Sequence, residues 1–135
     1  MLRAIIKSEL TILEKIVRNG GEVVPRFRII AADGEHTVVV PMPDDSIARN
    51  ERLHVVRALM VFQAATGFVR ASELIEPDAI VALAVTLESV VGAAQRIARN
   101  PLSFAVPEWF GREAVGDELI DLLPLSTERL NDDEI

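Results

Sequence analysis

Three side chains stand in settings that could support proton transfer. His36 falls at the end of an apolar strand face, beside a turn, and His54 falls on the polar side of an amphipathic segment. There is no HxxxH, no HExxH and no cysteine, so the spacing predicts no metal site and no bound cofactor. Glu73 lies in GFVRASELIE, on the same side of an extended segment as Val69, Ala71 and Ile75, and opposite the small Ala82 of the segment that follows. Apolar neighbours disfavour a charged carboxylate and can turn it into an acid or base. Glu73 and His36 are therefore the catalytic candidates. The plainer readings are a structural histidine and an acid that reaches water at a strand edge, and no second acid is spaced to complete a pair with Glu73.

The remaining chemistry is binding chemistry. Arg26 and Arg28 alternate on the outer side of an apolar strand, and with Arg49, Arg52 and Arg57 they could form an anion-binding patch or stay solvated. The glycines form neither GxGxxG nor GxxxxGK[ST], and no serine stands in GxSxG. Trp109-Phe110, next to glycine, is either a plug on the core or an anchor for a partner. The run Ala58 to Ala65 is apolar nearly all round a helix. Leu59, Val61 and Phe62 are accordingly the expected centre of a contact with another protein, first of all a second copy of the chain.

These residues must be positioned by a small set of elements. Val24 to Met42 reads VPRFRIIAADGEHTVVVPM, and Asp33-Gly34 between two β-rich runs is a strong hairpin signal. A two-residue turn there sets Ile29 opposite Val38 and Phe27 opposite Val40. One face is then Phe27, Ile29, Ala31, His36, Val38 and Val40, and Arg26, Arg28 and Ile30 lie on the other. Before the hairpin, Leu2, Ile5, Ile6, Leu10, Leu13, Ile16 and Val17 recur at helical spacing over 2–18, and Asn19-Gly20-Gly21 stops them. After it, Asp44-Asp45-Ser46 supply helix caps for a second helix over about 46–65, stopped by Gly67.

Residues 67–99 admit two readings. In the first, strands 67–75 and 79–86 form a second hairpin, and a shorter helix follows over 88–99. In the second, one helix runs from 77 to 99. A hairpin's apolar face needs sheet partners, which favours the first. LSFAVPEW (102–109) reads as a short strand with Pro107 at an edge or bulge. Val115, Leu119, Leu122 and Leu123 give a helical pattern over 112–123, and Pro124 ends it.

Composition narrows the class. Half the residues are hydrophobic, and 135 residues suffice for one core, expected over 1–124 with 125–135 as an acidic tail. The absence of cysteine and of an apolar signal segment points to the cytoplasm, and the longest uncharged apolar run, Ala79 to Leu87, is far short of a membrane span. Residues 1–112 hold 13 basic and 13 acidic side chains, so the whole net charge of −7 resides in 113–135. A neutral body with an acidic end argues against nucleic acid as partner.

The hairpin FRIIAADGEHTVVVPMP, the Ser72-Glu73-Leu74 stretch with Pro77-Asp78 and an apolar strand behind it, and the closing NPLSFAVPEWFGREAVGDELIDLLP resemble a group of uncharacterised soluble bacterial proteins. That resemblance implies a soluble bacterial protein and no particular activity. The expected fold is α+β, an antiparallel sheet of four to five strands from two hairpins packed by three to four helices. The expected role is a non-enzymatic protein-binding or adaptor module. The alternatives are a small enzyme using Glu73 or His36, and an anion or nucleic-acid binder using the arginines.

Overall fold

A computed structural model describes residues 2–31, 33, 37–43 and 45–115, with the backbone alone for Thr37 and Val38. His36, the turn glycine Gly34, the cap candidate Asp44, most of the helix expected over 112–123 and the acidic tail lie outside the described residues.

Helix α1 spans Leu2–Arg18 and buries Ile6, Leu10, Leu13 and Val17 along one stripe. Gly20 ends it in the left-handed conformation, with φ of 79°, and the Gly21 N–H donates to the Ile16 carbonyl at 2.9 Å. Strands β1 (Arg26–Ile30) and β2 (Thr37–Pro41) pair in the register that an Asp33-Gly34 turn imposes, Phe27 against Val40 and Ile29 against Val38. Helix α2 spans Ser46–Phe62, with the Asp45 carboxylate accepting the Ala48 N–H at 2.9 Å as its cap. It stops before the expected position 65. Ala64 takes φ of 49° and the Ala65 N–H returns to the Met60 carbonyl at 2.8 Å, so alanine fills the role expected of Gly67.

The described residues that follow are mostly strand. β3 (Gly67–Leu74), β4 (Ala79–Thr86), β5 (Val90–Ala98), β6 (Ser103–Phe104) and β7 (Glu108–Gly111) complete a seven-stranded antiparallel sheet in the order β2-β1-β3-β4-β5-β6, with β7 also paired to β5. β6 and β7 share one edge of β5: β7 pairs with Val91–Ala94, and β6 with Ile97 and Ala98. The single strand expected over 102–109 is thus broken in two before Pro107, and the Ala105 N–H, bonded to the Arg96 carbonyl at 2.9 Å, bridges the gap.

Among the described residues the sheet is larger than expected and two α-helices are present, the helix expected over 112–123 lying mostly outside them. Residues 88–99 form β5, where a helix is expected. The Thr86 hydroxyl accepts the N–H groups of Glu88 and Ser89, and the Thr86 N–H donates to the Ser89 carbonyl at 2.8 Å, which closes a tight turn. A helix in its place would leave the outer edge of β4 unpaired in a buried region. The small residues of this segment fit either period, so the neighbouring edge decides. Of the C-terminal helix only Arg112–Ala114 is described, as a short 3₁₀ turn.

Among the described residues each sheet face carries one α-helix and one core cluster. On the α1 face, Ile6, Leu10, Leu13 and Val17 meet Val69, Ala71, Ile80, Ala82, Ala84, Ala93 and Ile97. On the α2 face, Val56 and Met60 meet Phe27, Ile29, Val40, Phe68, Leu83 and Val85. The alanines of β3, β4 and β5 let α1 sit close to the sheet centre. Larger side chains fill the other face, where the Phe27 and Phe68 rings pack at 5.5 Å and 58°.

Candidate functional site

The charged groups of the α1 face are consumed by structure. Glu9, 3% exposed, lies within the apolar stripe of α1. Its carboxylate accepts from Arg26 Nη2 at 2.7 Å, Arg26 Nε at 3.3 Å and Arg28 Nε at 3.3 Å. α1 therefore covers the face on which Arg26 and Arg28 were expected to meet solvent. The two arginines serve a buried acid there and do not converge with Arg49, Arg52 and Arg57 of α2 across the sheet. Glu9 interrupts the stripe between Ile6 and Leu13, and an acid there opposite an Arg-x-Arg strand is the signal that could have found the cluster.

Glu73 does lie on the face of Val69 and Ala71, but the four-residue connection Ile75–Asp78 shifts the register, so Glu73 opposes Ile80 and Ala82 opposes Ala71. Ile75 falls outside the strand and is exposed. The Glu73 carboxylate accepts the Val23 N–H at 3.3 Å and pairs with Arg99 at 3.3 Å. Arg99 in turn holds Asp78 by Nε at 2.6 Å and Nη2 at 3.3 Å, so one guanidinium ties the end of β5 to the β3–β4 turn. Hydrogen bonding from Arg99 holds the Asp78 carboxyl below its usual range, against a smaller opposing effect of burial. A carboxyl so depressed contributes stability above its unfolded value of about 4, and loses it as pH falls through the lower folded value. Asp78→Asn is accordingly expected to be less stable than the wild type at pH 7, with the difference shrinking as pH falls below about 4 and as salt rises. Urea unfolding at a series of pH values checks this; a difference that grows on acidification would contradict it.

Among the described residues no cluster of His, Asp or Glu is placed to hold a metal ion. His54 is exposed on α2. Trp109 and Phe110, adjacent on β7, go to opposite faces. Trp109 packs beside the α1 cluster with the Arg3 guanidinium 4.6 Å above its ring, and Phe110 joins the α2 cluster over Gly92.

Two clefts are relevant to binding. One, of about 680 Å³, lies between the start of α1 and the β4–β5 turn, lined by Leu2, Arg3, Thr66, Thr86, Ser89 and Val91. Its most promising polar groups are engaged: Thr86 and Ser89 close the turn, and Arg3 stacks on Trp109. The other, of about 380 Å³, lies on the α2 face with Ser46, Arg49, Asn50 and Arg70 around a floor of Phe27, Met42 and Leu53. Arg70 escaped the sequence reading because it sits mid-strand with no charged neighbour in sequence. Pairing opposite Phe27 and Leu83 brings it to the cleft.

The outer side of α2 is a third feature. Only Val56 and Met60 of this helix are buried. Ile47 (69% exposed), Val55 (49%) and Phe62 (82%) lie on the side away from the sheet, whereas Leu53 and Leu59 pack against the chain's own core and Val61 is half-buried.

Comparison of the chain with known protein families, with curated proteins and with solved structures gives no match. Among the described residues no helix is long and apolar enough to cross a membrane.

Proposed function

We propose that this protein is a non-enzymatic protein-binding module whose contact surface is the outer side of α2, and that it binds a second copy of itself there. The observation that carries this reading is Phe62, a large apolar side chain left 82% exposed at the end of a helix whose inner side is already satisfied. Ile47, Val55, Ala58 and Phe62 recur at spacings of eight, three and four residues, which is one stripe of a helix. The stripe is self-complementary. An antiparallel copy crossing near Val55 sets Ile47 of each helix against Phe62 of the other and Glu51 against Ala58, as a twofold contact requires. The centre is Phe62 and Val55 rather than Val61, since Leu59 and its neighbours serve the intrachain core.

The acid/base alternative draws no support from Glu73, whose carboxylate is held by Arg99 and a backbone N–H and lines neither cleft. Sedimentation at micromolar concentration tests the proposed contact. The expected mass is twice 14.8 kDa, and Phe62→Glu is expected to restore the monomer with its unfolding transition intact. A wild-type monomer under those conditions would end the dimer, and an unchanged dimer in Phe62→Glu would move the contact elsewhere.

A further inference from the structure

We propose that the cleft between α2 and the β1–β3 part of the sheet binds a small organic anion, its carboxylate or phosphate head held by Arg70 and Arg49 and its apolar body lying over Phe27, Met42 and Leu53. The cleft volume of about 380 Å³ falls within the ~300–1,000 Å³ usual for small-molecule sites and suits a ligand of modest size. Its lining is divided in the way an amphipathic ligand needs. Two guanidinium groups and the polar side chains of Ser46 and Asn50 stand around the apolar floor.

Arg70 is the group that asks for an anion. The sheet register sets it beside Phe27 and Leu83, on the face that carries the α2 core. Among the described residues it has no hydrogen bond or ion pair, whereas Arg49 makes a further interaction of its own. Arg70 is exposed at the cleft, yet the packing on one side of it and the charge of Arg49 both lower the affinity of its guanidinium for the proton. Two like-charged guanidinium groups thus line one solvent-open cleft, both residues being exposed. An anion between them offsets the repulsion and gives Arg70 charge-assisted hydrogen bonds, for which a planar guanidinium is well shaped. The site is independent of the dimer contact. Ser46, Arg49, Asn50 and Leu53 face the cleft, whereas Ile47, Val55 and Phe62 face away from it.

The test is an amide chemical-shift titration of the full chain with hexanoate and with hexyl phosphate, using hexanol and inorganic phosphate as controls. Saturable shifts at Met42, Leu53 and Arg70 are expected with at least one of the two amphipathic anions, and which one responds assigns the head group. Hexanol and inorganic phosphate should each bind at least tenfold more weakly, since each lacks half of the ligand. Arg70→Gln is expected to weaken binding about tenfold or more, the equivalent of losing one charge-assisted pair. Should Arg70→Gln not fold, Arg49→Gln, at an exposed helix position, is expected to show the same direction of change. Phe62→Glu should leave the titration unchanged. No saturable shift with either anion, shifts confined to another part of the sheet, or equal binding by the arginine variant that folds would overturn the proposal.

Discussion

Replacing Glu9 with alanine is expected to destabilise the protein by about 3 kcal/mol, the low end of the range for breaking a buried ion pair from one side. The carboxylate is buried and accepts from both Arg26 and Arg28, so its removal strands two guanidinium groups beneath α1. The loss falls at the low end because the Arg26 and Arg28 side chains are 19% and 25% exposed and can recruit some water. A control on the same helix separates burial from charge. Glu14 pairs with Arg18 at 2.8 Å in the open, so Glu14→Ala should cost about 0.5 kcal/mol or less. Urea unfolding measures both; similar losses for the two variants would show that Glu9 is not an internal anchor. Replacing Glu9, Arg26 and Arg28 together with leucine or methionine should recover most of the loss. A buried ionic cluster is costly to break but contributes little net stability over an apolar one.

Gly92→Ala is expected to cost about 2 kcal/mol, although alanine is the better strand residue. In open strand the exchange would gain about 0.5–1 kcal/mol through the lower entropy of the unfolded chain. At position 92 a Cβ would collide with two ring carbons of Phe110 and lie 3.1 Å from Leu83 Cδ1. Forcing the ring out of its place on β5 is overpacking, which costs ~1–3 kcal/mol and outweighs the local gain. Phe110→Leu should relieve the clash, so the double variant should be more stable than the sum of the single losses by about 1 kcal/mol or more. Additive losses would mean that the close approach of Phe110 to Gly92 does not govern this edge of the sheet.

The two variants also show where tertiary structure overrode local pattern. A helical period was legible in 88–99 because Val91, Ala94 and Ala98 share a stripe, and equally a strand period, because Val91, Ala93 and Ile97 alternate. Gly92 favours the strand only once Phe110 is known to cover it. The arginines mislead for a similar reason. Alternation correctly puts Arg26 and Arg28 opposite the face of Phe27 and Ile29, but whether that face meets water depends on an element seventeen or more residues away. Arg70 was invisible as a site residue because its partners in the cleft come from β1, from the segment after β2 and from α2.

What the sequence determined by itself are the features set by near neighbours. The α1 stripe and its glycine stop, the acidic cap of α2 and the β1–β2 register each follow from residues a few positions apart, where periodicity, turn chemistry and capping act directly on the backbone. Only the tertiary structure decided the size of the sheet, the strand at 90–98, the burial of Glu9 with its two arginines, and the meeting of Arg49 with Arg70. Each depends on which surface comes to cover another, and a sheet with a helix on either face buries both sides of its central strands. Alternation then no longer separates inside from outside, and long-range packing settles what local pattern leaves degenerate.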